Sequence, residues 1–306
     1  MEFLDNYKIE LLNEIGINPL WKWKNPYNEQ NIYSIFQQNS QKNSQQISPK
    51  ISNENSNKIS NDNKISEIII SKIENTEKIE NTENIENTEN IENIENNFSY
   101  SWETLNKNIH NCQNCNLHKT NHNYVVGIGN QNADWLFVGE APGEEEDKIG
   151  EPFVGDSGKL LDNMLQHLQL SRHQNIYIAN TVKCRPPYNR EPTDAEINNC
   201  QDFLLQQIGL IQPKIIVCLG KVAFYALFKT QLNLPKSCSV SKYRKKMFNL
   251  SYQYKKQQYK IPTFITYHPS YLLRSPVQKV ETWKDLCLAK HFYDTQITKN
   301  KNKNKN

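Results

Sequence analysis

The 306-residue chain has no uninterrupted run of about eighteen apolar residues, which excludes a membrane-spanning helix as its organising element. Its opening residues, MEFLDNYKIE, are acidic where a presequence is basic, so a reducing, cytoplasmic location is expected. Seven cysteines cannot all pair, and in a reducing compartment clustered cysteines favour metal over disulfides. Aromatic residues vanish between residues 38 and 97, where Asn, Ser, Ile, Glu and Lys dominate. Such a stretch cannot bury enough apolar surface to offset the entropy of ordering it. From Ile73 the pattern I-E-N-T-E-N/K recurs every six residues. Six matches neither the helical 3.6 nor the heptad 3.5, and three or four copies are too few for a solenoid. Residues 31–97 are therefore expected to be a disordered linker.

Charge divides at the same place. Residues 1–97 carry 9 Lys or Arg against 16 Asp or Glu, whereas residues 98–306 carry 27 against 17. The second part is basic, as a phosphate-binding domain is. Residues 98–295 are read as one globular domain and residues 296–306 as a disordered Lys/Asn tail. Within residues 1–30, Leu4, Tyr7, Leu11 and Leu12 recur at helical spacing ahead of IGINPLWKWKN, on a helix too short to fold alone. This segment is read as a partner-docking peptide.

In the globular part, strand and helix patterns alternate. Ala133–Gly139 (ADWLFVG), Asn175–Asn180 (NIYIAN), Lys214–Gly220 (KIIVCLG) and Ile261–Tyr267 (IPTFITY) read as buried strands. Helical periods follow over Gly158–Leu170, from an N-cap at Thr193 through Ile208 with Glu196 completing a capping box, through Phe228, and over Glu281–Tyr293. This order predicts a three-layer α/β/α sandwich around a central four-stranded parallel sheet. In such sheets the site lies at the carboxyl ends of the strands, here the loops GEAPG, ANTVKC and YHPSY.

Cys112 and Cys115 form a C-x2-C pair, and Cys184 and Cys200 stand in the loop and helix after the second strand. Four thiolates fit zinc or an iron–sulfur group, and the missing second C-x2-C argues against a zinc ribbon. Cys218, inside a strand, reads as a core thiol.

GEAPGEEED, EPFVG, the Asn of NTVKCRPP and the HPSYLLR run, in that order and together with the four cysteines, resemble family 4 uracil-DNA glycosylases, the iron–sulfur group. The resemblance spans roughly residues 102–293. It implies a [4Fe-4S] cluster on Cys112, Cys115, Cys184 and Cys200, and a monomeric enzyme that flips uracil out of DNA and hydrolyses its glycosidic bond. It further implies that Phe153 stacks on the ring, that the Asn180 amide reads O4 and N3–H, and that His268 donates to O2 as charge grows there. By the same resemblance Glu140 and Ala141 shape the site and Glu146 excludes the thymine methyl. Ser157 opens a helix facing a phosphate, and Leu272, Leu273 and Arg274 enter the duplex. The family 1 enzymes have an Asp where Ala141 stands, which leaves the water-activating group unassigned. Asp156 replaces a basic residue common in relatives. Lys242, Arg244, Lys245 and Lys246 form a basic run suited to the DNA backbone or to solvent. Rival readings are an iron–sulfur DNA-binding protein without catalysis, a paralogue acting on another damaged base, and an electron-transfer protein. Residues 1–25 resemble the N-terminal peptide of the psi subunit of bacterial clamp loaders, which implies a replication partner.

Overall fold

The structure, a computed structural model, describes residues 101–255 and 257–297. The docking peptide, the linker and nearly all of the Lys/Asn tail lie outside the described residues. The elements run as α1 (Trp102–His110), β1 (Ile128–Gly129), β2 (Trp135–Gly139), α2 (Glu144–Ile149), α3 (Asp156–His167), β3 (Ile176–Asn180), α4 (Asp194–Ile211) and β4 (Ile215–Leu219). Then follow α5 (Lys221–Phe228), α6 (Val240–Tyr243), β5 (Met247–Tyr254), β6 (Gln257–Thr266), α7 (Pro269–Arg274) and α8 (Lys279–Phe292).

The sheet has six strands in the order β1-β3-β2-β4-β6-β5, not four. The four expected strands are its parallel centre, β3-β2-β4-β6. Both edges are antiparallel: two-residue β1 on β3, and β5 folded back on β6 from Tyr254 opposite Gln257. The overlooked β5 alternates buried Phe248, Leu250, Tyr252 and Tyr254 with exposed Asn249, Ser251 and Gln253, the two-residue period of an edge with one wet face.

The central strands are buried on both faces, because alternate side chains serve two layers. Trp135, Phe137, Ile178, Val217 and Phe264 pack under Leu161 and Leu165 of α3 and Leu286 and Ala289 of α8. Leu136, Val138, Ile216 and Ile265 pack under Leu204 and Ile208 of α4 and Phe224 and Phe228 of α5. Cys218 is fully buried in the second of these layers, as a core thiol.

Helix α4 starts where its capping box places it. Thr193 Oγ1 accepts the Glu196 N–H at 3.3 Å, and Glu196 Oε2 accepts the Thr193 N–H at 2.8 Å. Arg190 grips the same carboxylate at 2.7 and 2.9 Å. These Arg190 hydrogen bonds, chiefly, hold the Glu196 pKa down to about 2. A depressed carboxylate stabilises the fold above its unfolded pKa and loses that contribution as pH falls towards the folded value. Glu196→Gln should therefore be less stable than wild type in urea unfolding at pH 7. The gap should narrow as pH drops from about 5 to about 3. A gap that stays constant over that range would remove the charge from the cap.

Candidate active site

Three strand ends converge. Gly139 closes β2 and Asn180 closes β3, and the two are register partners across the parallel ladder. His268 follows β6 by two residues and caps α7. Phe153 reaches the same place from the loop between α2 and α3. Its ring centroid lies 5.5 Å from that of His268. A Cβ on Gly139 would stand 2.4 Å from Asn180 Oδ1 and 2.7 Å from the Phe153 ring, so only glycine admits both at this strand end. Gly220, at the end of β4 with φ +93°, faces the Cβ of His268 in the same way.

Phe153 is buried and its backbone has φ 56°, a left-handed conformation that costs a bulky residue about 1–3 kcal/mol. Arg172 holds it there. Its guanidinium donates to the carbonyls of Pro152 (2.9 Å) and Phe153 (2.6 Å) and to Asp162 (2.5 Å). Gly158 packs against the same Phe153 carbonyl, where a Cβ would stand 1.8 Å from the oxygen. On the other side of the loop, Glu146 accepts the N–H groups of Gly143 (3.1 Å), Val154 (3.0 Å) and Gly155 (3.0 Å).

The acidic run EEED therefore splits. Glu144 and Glu145 are exposed, whereas Glu146 braces the loop with both oxygens. Asp147 is fully buried and accepts the backbone N–H of His122 (2.9 Å) and its ring Nδ1 (2.7 Å). The Glu146 carboxylate thus has a bracing role on backbone amides that the motif did not indicate. The same carboxylate occupies the amides just before α3, so an anion already stands at that helix start. Ser157 is the second residue of α3 and partly exposed. Asp156 pairs with Lys159 at the surface.

His268 has a defined proton. Its Nδ1 accepts the Ser270 backbone N–H (3.2 Å) and lies 2.8 Å from the Ser270 hydroxyl, which leaves Nε2 as the protonated nitrogen. Burial, and then the Arg274 charge, push its pKa down to about 4, so the ring is neutral at physiological pH. His268 Nε2 and Asn180 Oδ1 are both buried without a hydrogen-bond partner among the described residues. Glu140, next to Gly139, is pushed up to about 7 by burial and then by Glu191, against the opposing charges of Lys221, Arg274 and Lys236. Ala141 packs against Val182, Ile197 and Val222 beside the site.

Helix α7 presents Leu273 and Arg274 to solvent, but Leu272 is fully buried in the core and cannot enter a duplex. The basic run also divides. Arg244 is buried and bonds Asp285 (2.9 Å) and Glu281 (2.5 Å), and Lys245 pairs with Glu281 (2.9 Å). Arg244 is thereby withdrawn from the surface, whereas Lys242, Lys245 and Lys246 stay exposed.

The four cysteines share one locale beside this site. Cys184 and Cys200 are buried and Cys112 and Cys115 partly so. Burial pushes the Cys184 thiol up, and Cys200, Cys115 and Cys112 raise it further. The C-x2-C turn is tied to α4 by Asn199, which donates to the Asn114 carbonyl at 2.9 Å. Among the described residues, no three His, Cys, Asp or Glu side chains stand close enough to share a single metal ion. Lys183 lies between cysteines and site. It is buried, and its ammonium donates to the Asn180 carbonyl (2.7 Å) and to Gln207 (2.6 Å). Arg172 lies outside every sequence motif, while Asp147 and Lys183 lie within GEAPGEEED and NTVKCRPP without a signal that marks their bracing roles. Gly139 was legible only as a strand end.

This fold and this strand-end site define a domain of the Uracil DNA glycosylase superfamily, which residues 126–290 match. A type-4 uracil-DNA glycosylase of Archaeoglobus fulgidus is 42% identical over 185 residues, covering 60% of this chain and 89% of that protein. One of Thermotoga maritima is 43% identical over 192 residues, covering 62% and 93%. One of Saccharolobus solfataricus is 43% identical over 173 residues, covering 56% and 77%. The chain belongs to the type-4 uracil-DNA glycosylases.

The Arg172 clamp has a measurable worth. Hydrogen bonds from a charged group contribute about 1.5–3 kcal/mol each, and partial compensation by water reduces the sum. Arg172→Ala should lose about 2–4 kcal/mol in urea unfolding. Arg172→Lys should recover less than half, because a point charge cannot span two carbonyls and a carboxylate. Full recovery by lysine would show that charge, not the fork, holds Phe153.

Proposed function

We propose that this chain excises uracil from DNA by hydrolysing its N-glycosidic bond and leaves an abasic site. One observation carries the reading at the level of residues. Around Phe153 stand one buried acceptor and one buried donor without partners, Asn180 Oδ1 and His268 Nε2. Buried polar atoms without partners cost about 1–3 kcal/mol each, and a ligand that satisfies both recovers that cost. Uracil offers the complement: N3–H for Asn180 Oδ1, O4 for the Asn180 amide N–H, and O2 for the His268 Nε2–H. Cytosine reverses the pattern at N3 and at position 4, so a fixed amide rejects it. Lys183 holds the Asn180 backbone from behind.

As the bond from sugar to base lengthens, negative charge collects on the base and at O2. A neutral imidazole donor strengthens its hydrogen bond there without the cost of burying a cation. Phe153 supplies the flat face beneath the ring. Glu140, titrating near neutrality, is the carboxyl next to the base, available to stabilise the developing sugar cation or to order water. Leu273 and Arg274 are the exposed groups of α7 suited to the duplex. Uracil release from a uracil-containing oligonucleotide tests the reading. His268→Ala should lower kcat by about 10²–10³. Asn180→Ala should lose about 1–3 kcal/mol of discrimination against cytosine. Wild-type protein that binds this DNA tightly but releases no uracil would leave only the non-catalytic reading.

We also propose that Cys112, Cys115, Cys184 and Cys200 hold a [4Fe-4S] cluster. The donor set fits: Cys200, Cys115 and Cys112 all act electrostatically on Cys184, and four cysteine thiolates are the ligand set such a cluster takes. Such a cluster supplies an iron core that binds thiolates and so cross-links the loop after α1, the loop after β3 and helix α4. Cys184→Ala should lose the visible absorbance of the purified protein and unfold more easily before any change in chemistry. A cluster-free variant with wild-type stability would remove the clamp. Residues 1–30 as a docking peptide for a replication partner, joined by residues 31–97 as a tether, rest on the sequence pattern alone.

A further inference from the structure

We infer that Tyr188 and the cleft beside it form a second nucleobase subsite, which stacks an unpaired base of the same DNA strand next to the flipped uracil. The inference rests on the glycosylase reading and extends it. Tyr188 is 98% exposed, on the loop that leaves β3 eight residues after Asn180, at the carboxyl end of the sheet where the site lies. Exposed tyrosines usually sit on mobile or half-covered surface. This one stands on a braced loop.

Pro186 and Pro187 restrict the approach. Asn189 N–H bonds the Pro186 carbonyl at 3.1 Å and Arg190 N–H the Pro187 carbonyl at 3.2 Å. Arg185 Nε bonds Asn189 Oδ1 at 2.8 Å. Arg190 is anchored in turn on Glu196. Within these braces Tyr188 and Asn189 both adopt φ 56°, so the ring is presented rather than tucked back. A rigid, exposed aromatic loses little entropy when a base stacks on it.

The surroundings select the ligand. Thr120, Arg185, Pro186, Pro187 and Tyr188 line a cleft of about 240 Å³. That is below the roughly 300 Å³ at which pockets for drug-sized ligands begin, and suits one planar ring system. Arg185 lines it, and Lys119, exposed and without an acidic partner among the described residues, adjoins it through Thr120. Cations beside an exposed aromatic are the elements of single-strand binding, in which the phosphate meets the charge and the base meets the ring. A purely apolar protein partner would not call for the cations. Arg185 also bonds Glu144 at 3.4 Å, which joins this loop to the helix that leads into the Phe153 loop.

The test uses the full chain and single-stranded oligonucleotides carrying 2′-fluoro-deoxyuridine, whose fluorine slows cleavage by disfavouring the sugar cation. 2-Aminopurine is placed singly at each of several positions on either side of it. Stacking quenches this base, so one flanking position should lose fluorescence on binding wild type and Tyr188→Trp, and not on binding Tyr188→Ala. Tyr188→Ala should weaken binding by about 5- to 150-fold, the range for loss of one stacked base, and Tyr188→Trp should restore it. Uracil release from ordinary uracil-DNA at saturation should be unchanged in both variants. Wild-type affinity in Tyr188→Ala with no quenched position in wild type would overturn the subsite. So would a loss of release at saturation, which would place Tyr188 in assembly of the site. Absence of uracil release by wild type would instead sink the glycosylase reading, whatever the fluorescence shows.

Discussion

Everything chemical in this domain depends on one crowded spot where two parallel strands end. Gly139 and Asn180 are paired across the ladder, and the Phe153 ring descends onto that pair. A side chain at position 139 would occupy the volume in which the Asn180 amide and the Phe153 ring meet. The sheet supplies rigidity, because β2 and β3 are buried on both faces and their register cannot slip without exposing a whole hydrophobic set. The loop supplies reach at the cost of a left-handed phenylalanine. The core therefore positions the amide and the loop positions the ring, and the missing Cβ lets them touch.

A loop held in a disfavoured conformation must be over-determined, and the braces account for that. Arg172 pulls on the Phe153 carbonyl from the α3 side, and Glu146 takes the amides of Val154 and Gly155 from the α2 side. Asp147, the next residue, anchors the segment that leads from the C-x2-C turn. Lys183 does the same for the second wall, bonding the Asn180 carbonyl one residue before Cys184. Cysteine locale and base site thus share backbone at two points. Whatever holds the cysteines in place would therefore restrict the same segments that carry Asn180 and Phe153.

What could be read in the sequence follows from what each signal encodes. The central strands were legible because apolar runs ending in glycine or asparagine are unlike anything a helix needs, and the α4 cap because Thr193 and Glu196 satisfy each other locally. Strand β5 lies outside the expected strands although MFNLSYQY alternates with period two, because an edge with one wet face carries no continuous apolar run. The basic run before it was misread. Arg244 is not a surface cation but the buried partner of Asp285 and Glu281, from a helix about forty residues downstream. A pairing at that separation leaves no local pattern. Leu272 shows the same limit: a motif names a residue, while only packing tells whether it faces ligand or core. Asn180 and His268 were legible together because the ends of parallel strands must converge, whereas Phe153, on a loop between two helices, was legible only through its motif EPFVG.

The electrostatics of the site follow from that convergence. Closing three strand ends around a ring excludes water, and exclusion acts on each ionisable group according to its sign. It pushes His268 down to about 4 and Glu140 up to about 7. Both shifts favour the neutral form, so near neutrality the pocket holds an uncharged donor and a carboxyl poised between its states. A pocket of this kind suits a neutral base that acquires charge only as its bond breaks. A permanent cation at His268 would bind an anionic product as tightly as the transition state and add less to the difference between ground and transition state. Burial and fixed dipoles, rather than full charges, therefore set the electrostatic character of this pocket.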